Sequence, residues 1–354
     1  MSSTADLPLG TVALGAGGPF FLRLDDTAGL TAYLQQRGWI AADETIESMA
    51  PAGDGNMNCT IRVVTNARRL VVKQGRPWVE RYPDIPAPAA RTLAEAAFYE
   101  AVSPVAELAS RMPALLGIDA EHRVLAIADC VGFTDVTGVY EGASLDSAVL
   151  DGLLAYLAAL HRLPVSDPAA LPFANDPMRT LNHAYIFALP LVCDAATAAR
   201  LERLTPGLSR QAARVAADAA FAGAVGRLGD LYLHGAPRAL LHGDFFPGSW
   251  LAQGPDVKVI DPEFCFAGAP EFDYGVMTAH LVLAHQDPAL AQRVAAAAAA
   301  AGLDAALVAG FAGVEVMRRL IGVAQLPRLA RSLAAKTALL DRSRRLVLGL
   351  ERFS

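Results

Sequence analysis

Residues 240–251 read LLHGDFFPGSWL, and a second acidic stretch, VKVIDPEF, follows at residues 257–264. The first stretch sets Asp244 in a loop between an apolar run and a Pro-Gly turn, and the second sets two carboxylates behind a β-branched run. An aspartate in such a loop suits a general base, and two neighbouring carboxylates suit a divalent cation. The two stretches therefore predict a site for acid–base and metal chemistry.

The HGD loop offers a base and a polar residue behind it. Asp244 has the position of an acceptor-activating aspartate, and Ser249, five residues later, has the position of a metal ligand. We interpret His242 as a residue that orders the loop. A hydrolase interpretation of Ser249 is disfavoured because the sequence around it lacks the G-x-S-x-G pattern of a nucleophile elbow.

The carboxylates of Asp261 and Glu263 form a candidate magnesium site. Their i, i+2 spacing directs both side chains to one side if the strand stays extended through Pro262. Two like charges on one face are costly unless a cation lies between them, and carboxylate oxygens suit Mg²⁺.

Residues 45–75 predict a strand, a Gly/Asn-rich turn, a second strand, a short hairpin and a third strand. The turn, GDGNMN, contains Gly53 and Gly55, whose missing side chains let backbone N–H groups approach phosphates. An ordinary hairpin turn with two glycines explains the same pattern.

Lys73 lies near the end of the third strand, RLVVKQ, on the same face as Val71, so we expect its ammonium group to point into the lobe. An inward lysine needs an anionic partner, for which Glu95 is the first choice and Glu100 the alternative. The other interpretation is a strand-end lysine that extends to water.

The remaining pattern predicts an α+β protein of two lobes. The Pro-rich stretch 76–90 should lack regular structure, residues 91–112 should form one helix packed on the strands, and helical spacing dominates beyond residue 132. A small strand-rich lobe followed by a larger helical lobe is the order of parts of a kinase. We expect an N-lobe at 1–127, a hinge at 128–132 and a C-lobe at 133–354.

Composition is compatible with this organisation. The 354 residues exceed what one core usually supports, and 30 Lys and Arg against 36 Asp and Glu offer no basic field for nucleic acid or an anionic membrane. Four widely spaced cysteines predict reduced, mostly buried thiols. The alanine-rich stretch 294–319 is interrupted by acidic residues, and no basic residue precedes Arg23, so we expect a cytoplasmic protein with neither a membrane span nor a secretory signal.

The motifs GDGNMN, VVKQ, HGDFFPGSW and IDPEF together resemble those of the aminoglycoside phosphotransferase and choline kinase superfamily, most closely those of the 5-methylthioribose kinases. The resemblance covers most of the chain and implies a bilobal, protein-kinase-like fold. It implies ATP contacts by Gly53, Asp54, Gly55, Asn56, Asn58 and Lys73, and we expect Glu95 at the same ATP site as the partner of Lys73. Adenine would meet the connector at Ile127, Ala128, Asp129 and Cys130.

The same resemblance implies that Asp244 is the base and that Asp261 and Glu263 ligate the metal. A late arginine pair, Arg318 and Arg319 in VEVMRRLIGVAQL, is expected to face the acceptor, because buried charges normally have partners. A solvated helix face is the alternative interpretation. Phe245 and Phe246 stand where the family has Leu-His, and they are expected at the acceptor site.

These features imply an ATP- and Mg²⁺-dependent kinase that phosphorylates a hydroxyl of a small sugar-like acceptor. Another alcohol, of the aminoglycoside, choline or homoserine type, is an alternative acceptor, and a non-catalytic nucleotide-binding protein is an alternative class. Two positive charges at the arginine pair disfavour a polycationic aminoglycoside. We expect no nucleic-acid or membrane partner, and a homodimer is compatible with the sequence.

Overall fold

The computed structural model describes residues 20–53, 55, 57–165, 174–326, 328–329 and 331–353. Its contacts define two compact units. The first contains the described residues up to Leu93 together with Leu115–Asp129, and the second contains Ala94–Ala114 and the described residues from Cys130 onward. Residues 94–114, which were expected in the N-lobe, therefore group with the second unit, and the boundary after Asp129 falls inside the predicted hinge.

The elements of the first unit are α1 (Thr27–Gln36), β1 (Ile46–Pro51), β2 (Cys59–Thr65), β3 (Arg69–Gln74), β4 (Trp78–Val79), β5 (Tyr82–Pro86), β6 (Leu115–Asp119) and β7 (Val124–Ala128). Five of the strands form an antiparallel sheet of order β1-β2-β3-β7-β6. The three strands predicted within residues 45–75 are confirmed. Buried side chains of α1 pack with those of the central strands, including Leu34, Ile61 and Val72.

The prediction that residues 76–90 lack regular structure is wrong, because β4 and β5 pair there as a two-stranded ribbon. Pro83 and Pro86 are exposed in β5. A strand in such a ribbon has one unpaired edge, where a missing backbone N–H costs no ladder hydrogen bond.

The second unit is mainly helical. Its helices are α2 (Arg91–Val102), of which the first turn belongs to the first unit, α3 (Ala106–Ala109), α4 (Ser147–Leu160), α5 (Asp176–His183), α6 (Ala195–Leu204), α7 (Leu208–Ala216), α8 (Ala219–His234), α9 (Glu271–Leu283), α10 (Pro288–Ala300), α11 (Ala305–Ile321) and α12 (Leu333–Val347). Short strands are β8 (Thr134–Asp135), β9 (Ala239–Leu241), β10 (Trp250–Gln253), β11 (Asp256–Val259) and β12 (Phe266–Gly268). The predicted α+β class, strand-rich first and mainly helical afterwards, is confirmed. The single helix expected over 91–112 is wrong, since α2 and α3 are separated near Pro104, which lacks a backbone N–H.

Helices α9 and α11 form the centre of the second unit. Every residue of α9 is buried, which is typical of a helix surrounded by protein on all sides. A Cβ atom added to Gly275 would lie 2.6 Å from Cβ of Phe311, so glycine is what lets the two helices approach closely. This packing brings polar residues of α9 and α11 together in the interior.

The four cysteines differ in exposure. Cys265 is buried, Cys59 and Cys130 are half-buried and Cys193 is exposed, so the expectation of mostly buried thiols is wrong.

Within the described ranges no single helix is long and apolar enough to cross a bilayer, although a pair bent by 85°, Asp176–Leu191 with Ala195–Leu204, meets the length and composition criteria together. The cytoplasmic location stays a prediction.

Candidate active site

The HGD loop follows β9, which pairs with β12, and leads through a 3-10 helix at Pro247–Ser249 into β10. Gly243 adopts φ +85°, and a Cβ atom there would lie 2.1 Å from the carbonyl oxygen of Phe264. Only glycine tolerates both the left-handed backbone and this contact. The turn at Gly243 therefore determines where Asp244 lies.

Asp273, at the start of α9, bonds to the backbone of the HGD loop. Its carboxylate accepts the backbone N–H of His242 at 2.9 Å, that of Gly243 at 3.0 Å, and Nε2–H of His161 at 3.0 Å. The side chain is fully buried. A buried carboxylate that is bonded to two consecutive backbone amides holds the loop in one conformation.

His242 is also fully buried and donates Nε2–H to the carbonyl oxygen of Ile260 at 2.9 Å. Burial lowers its pKa, so the ring is neutral near pH 7. These contacts support the loop-ordering role inferred for it.

Asp244 meets both arginines of α11. Oδ1 of Asp244 accepts hydrogen bonds from Arg318 at 2.8 Å and from Arg319 at 3.0 Å. Oδ2 accepts none from any residue that the structure describes, and 18% of the side chain is exposed. The arginines fix one carboxylate oxygen and leave the other available to a ligand.

The arginine pair is buried, with 5% and 6% of the residues exposed, so a solvated helix face is wrong for it. Behind the pair lies Glu315, whose carboxylate accepts Nε–H of Arg319 at 2.7 Å and Nε–H of Arg318. The two guanidinium groups hold the pKa of Glu315 well below its usual range, against the opposing effect of burial. His280 of α9 contacts the same carboxylate at 2.9 Å and the hydroxyl of Tyr140 at 2.6 Å.

The two phenylalanines after Asp244 have different surroundings. Phe245 is fully buried and stacks on Tyr156 with ring centroids 5.8 Å apart. Phe246 is half-buried, and its ring lies under the Arg319 guanidinium at 4.8 Å. Only the Phe246 ring is therefore part of the surroundings of Asp244, whereas Phe245 is a core residue.

The acidic loop does not have the expected backbone. Strand β11 ends at Val259, Asp261 adopts φ 63°, and Pro262–Phe264 forms a 3-10 helix. The extended strand assumed for the i, i+2 argument is therefore wrong, because a left-handed residue and a proline turn break the period of two. Asp261 is half-buried and Glu263 buried.

Asn175 supports this acidic loop. Its side-chain amide donates to the carbonyl oxygens of Glu263 at 3.0 Å and Cys265 at 2.9 Å. Ser249 is buried, and its hydroxyl lies 3.2 Å from the carbonyl oxygen of Asp244. The metal-binding roles of Asp261, Glu263 and Ser249 stay predictions.

One acidic cluster lies outside these loops. Among the described residues, this cluster consists of Asp119, Glu121 and His122, whose possible metal-ligand atoms all lie within 4.8 Å of one another. Asp119 already accepts from Tyr33 at 2.7 Å and is paired with Arg37 at 2.6 Å, so its contacts explain the cluster.

In the first unit, Lys73 is 3% exposed on β3, paired with Thr60 and Leu125, so a lysine extending to water is wrong. Gly53 has φ 135°, and Gly53 and Gly55 are both exposed. Asn58 is buried and accepts from Arg91 at 2.7 Å. Asp54 and Asn56, for which ATP contacts were predicted, lie outside the described residues.

Of the four connector residues, two lie at the end of β7 and two follow it. Ile127 and Ala128 pair with Val71 and Leu70, and the Asp129 carboxylate accepts from Arg62 at 3.1 Å. Cys130 is half-buried. In the second unit, Glu95 is fully buried and Glu100 is exposed. The choice between them as the partner of Lys73 stays a prediction. The ATP contacts assigned to these residues stay predictions.

Several polar residues of the site were not predicted. Glu315 could have been found, because it precedes Arg318 and Arg319 by three and four residues, the spacing of ion pairs on a helix. Asp273, His280 and Tyr140 carry no local signal, since only the tertiary packing of α9 brings them to the loop and to α11.

Comparison with known proteins identifies the class of this chain. A family model described as phosphotransferase enzyme family matches residues 48–308. The chain therefore belongs to this phosphotransferase family, and the superfamily resemblance drawn from its motifs is confirmed.

Particular relatives are similar to it. The methylthioribose kinase of Exiguobacterium sibiricum is 30% identical over 241 residues, which cover 66% of this chain and 60% of that protein. Methylthioribose kinase 1 of Oryza sativa subsp. japonica is 27% identical over 282 residues, covering 73% of this chain and 62% of that protein. The matches thus span less than two thirds of these relatives. A choline kinase structure from Streptococcus pneumoniae aligns with a TM-score of 0.48 at 11% identity, covering 91% of this chain and all of that one.

Proposed function

We propose that this protein transfers the γ-phosphoryl group of ATP, in the presence of Mg²⁺, to a hydroxyl of a small, neutral, sugar-like acceptor. The observation that carries the proposal is the convergence of Arg318 and Arg319 on Oδ1 of Asp244, with Oδ2 bonded to no described residue. An acceptor hydroxyl donates its hydrogen bond to Oδ2, which takes the proton as the new P–O bond forms.

The charges around Asp244 favour a neutral acceptor. Asp244 and Glu315 balance the two guanidinium groups, and burial lowers the pKa of His280 to about 4, which leaves it uncharged near pH 7. The arginines would repel a polycationic acceptor, and Asp244 would repel an anionic one. The names of the methylthioribose kinases to which the chain is similar support a sugar-like acceptor.

The residues proposed to bind ATP and Mg²⁺ are those that the sequence motifs predict. Asp261 and Glu263, with Ser249, offer the oxygen donors that suit Mg²⁺, and the side-chain amide of Asn175 steadies the loop that carries the two carboxylates. Bound Mg²⁺ neutralises charge on the phosphates. In the first unit, the glycines of the turn at 53–58 and the buried Lys73 suit phosphates.

An ADP-release screen tests the proposal. Sugars, thio-sugars, amino alcohols and aminoglycosides are offered with ATP and Mg²⁺, and Asp244→Asn serves as the blank. We expect turnover of a neutral sugar-like compound in preference to any aminoglycoside. Efficient turnover of a kanamycin-like compound contradicts the acceptor class, and ATP binding without transfer to any acceptor favours a non-catalytic nucleotide-binding protein.

A further inference from the structure

Behind the arginine pair lies a buried chain of polar side chains that the proposed reaction does not itself use. It runs from Tyr140 through His280 to Glu315 and is 2%, 0% and 1% exposed along its length. Buried polar groups of this kind are costly unless every member is bonded, and here each one is.

Glu315 bonds the same atom, Nε, of both arginines and so orients them. Each guanidinium donates Nε–H to Glu315 and an NH₂ hydrogen to Asp244, so each planar group is fixed at two points. The remaining N–H groups of both guanidinium groups bond to no residue within the described part of the chain. Glu315 therefore determines the direction in which these donors point.

The hydrogen bonds of His280 follow from the charge of Glu315. A carboxylate can only accept, so Nε2 of His280 carries the proton and donates to Glu315 at 2.9 Å. Nδ1 of His280 is then an acceptor, and Tyr140 donates its hydroxyl hydrogen to it at 2.6 Å. The phenol thus selects the tautomer that supports Glu315.

We propose that Glu315, His280 and Tyr140 are positioning residues that hold the arginine pair on Oδ1 of Asp244 and thereby keep Oδ2 directed at the acceptor. The inference rests on the proposed function and adds residues that act through others. Without the Glu315 charge, both guanidinium groups lose their charged acceptor at Nε, and the contact with Asp244 no longer fixes each planar group at two points. The arginines are then held less firmly, and Oδ2 of Asp244 loses its fixed direction.

The test compares matched variants in the ADP-release assay with an acceptor found by the screen. Glu315→Gln keeps the shape and removes the charge, and we expect kcat to fall at least about tenfold while KM for ATP stays within about twofold. His280→Gln can still donate to Glu315 and should keep most of the activity, whereas His280→Leu should match Glu315→Gln. Tyr140→Phe should lower kcat about threefold. Glu271→Gln is the control, since Glu271 is equally buried on α9 but pairs with Arg238.

Folding and function are separated by two further measurements. Thermal unfolding shows whether each variant is folded, and phenylglyoxal labelling with peptide mass spectrometry reports how accessible Arg318 and Arg319 are without any need for activity. We expect slow labelling in the wild type and Glu271→Gln and at least about fivefold faster labelling in Glu315→Gln.

The outcomes are distinct. If the wild type turns over no acceptor, the proposed function fails, and labelling alone decides whether Glu315 holds the arginines. If the wild type is active and folded Glu315→Gln matches it in kcat, or if His280→Gln is as impaired as His280→Leu, the positioning role is overturned. Equal labelling of wild type and Glu315→Gln also overturns it.

Discussion

Oδ1 of Asp244 lies 2.8 Å from a guanidinium nitrogen of Arg318, and the two side chains are only 18% and 6% exposed. An ion pair so shielded from water is screened by salt far less than a surface pair. The pair therefore holds the carboxylate in one orientation, while its second oxygen is bonded to none of the described residues.

Asp244→Asn should lower kcat by about 10²- to 10⁴-fold, because the amide cannot take the proton of the acceptor hydroxyl. Its affinity for ATP should stay within about threefold, since Asp244 is assigned to the acceptor rather than to the nucleotide. Steady-state kinetics and ATP-binding calorimetry check both values. Loss of ATP binding together with turnover in a folded variant contradicts the role assigned to Asp244.

Arg319→Lys should lower kcat/KM at least about tenfold, although it keeps the charge. An ammonium group cannot present the planar fork that bonds Glu315 and Asp244 at once. Arg214→Lys is the matched control, because Arg214 forms an exposed pair with Asp341. Wild-type kinetics in Arg319→Lys would show that the two-point contact is not needed.

Local sequence patterns could predict the strands and helices with clear periodicity. Strand β3 and the helices α10 to α12 follow the expected spacing. The ribbon of β4 and β5 could not be predicted, because proline is compatible with both a loop and an exposed strand edge. The backbone at Asp261 likewise depends on the turn after β11, which the i, i+2 spacing does not reveal.

The candidate site was predictable where its chemistry lies in short motifs. Asp244 and the arginine pair were named from sequence, yet their contact joins residues 74 and 75 positions apart. Phe245 and Phe246 are adjacent and chemically alike, but one is a core residue and the other lies under Arg319. Only tertiary packing distinguishes them.

Asp273→Asn should lower both stability and kcat, because one of its two accepting oxygens becomes an NH₂ group facing a backbone N–H. We expect a loss of about 2 kcal/mol in the free energy of unfolding and a fall in kcat of at least about tenfold. Urea unfolding and steady-state kinetics measure these quantities. Asp287→Asn, at an exposed helix N-cap where Asn serves equally well, should change neither.

Glu263→Gln should raise the Mg²⁺ concentration needed for half-maximal activity several-fold, because a hard anionic oxygen is replaced by a neutral amide. A magnesium titration at saturating ATP measures the change, with Glu271→Gln as the control for a buried glutamate outside the loop. An unchanged titration curve would remove Glu263 from the metal site.

His280 should make stability depend on pH in a defined window. Burial lowers the pKa of His280 from 6.5 to about 4, against the opposing effect of Glu315, so between these values the unfolded chain binds a proton that the folded protein does not. The stabilisation is complete above about pH 6.5, is lost as pH falls towards 4, and amounts to about 3 kcal/mol.

Two other buried groups also have lowered pKa values. The lowered pKa of Glu315 affects stability below its ordinary value of 4.5, and the pKa of His242 shifts in the same direction as that of His280, so only a comparison with His280→Gln isolates the effect of His280. Urea unfolding at about pH 7 and about pH 5 should show a smaller acid-induced loss of stability in His280→Gln than in the wild type. Equal losses in the two proteins would mean that His280 is not held neutral by its burial between α9 and α11.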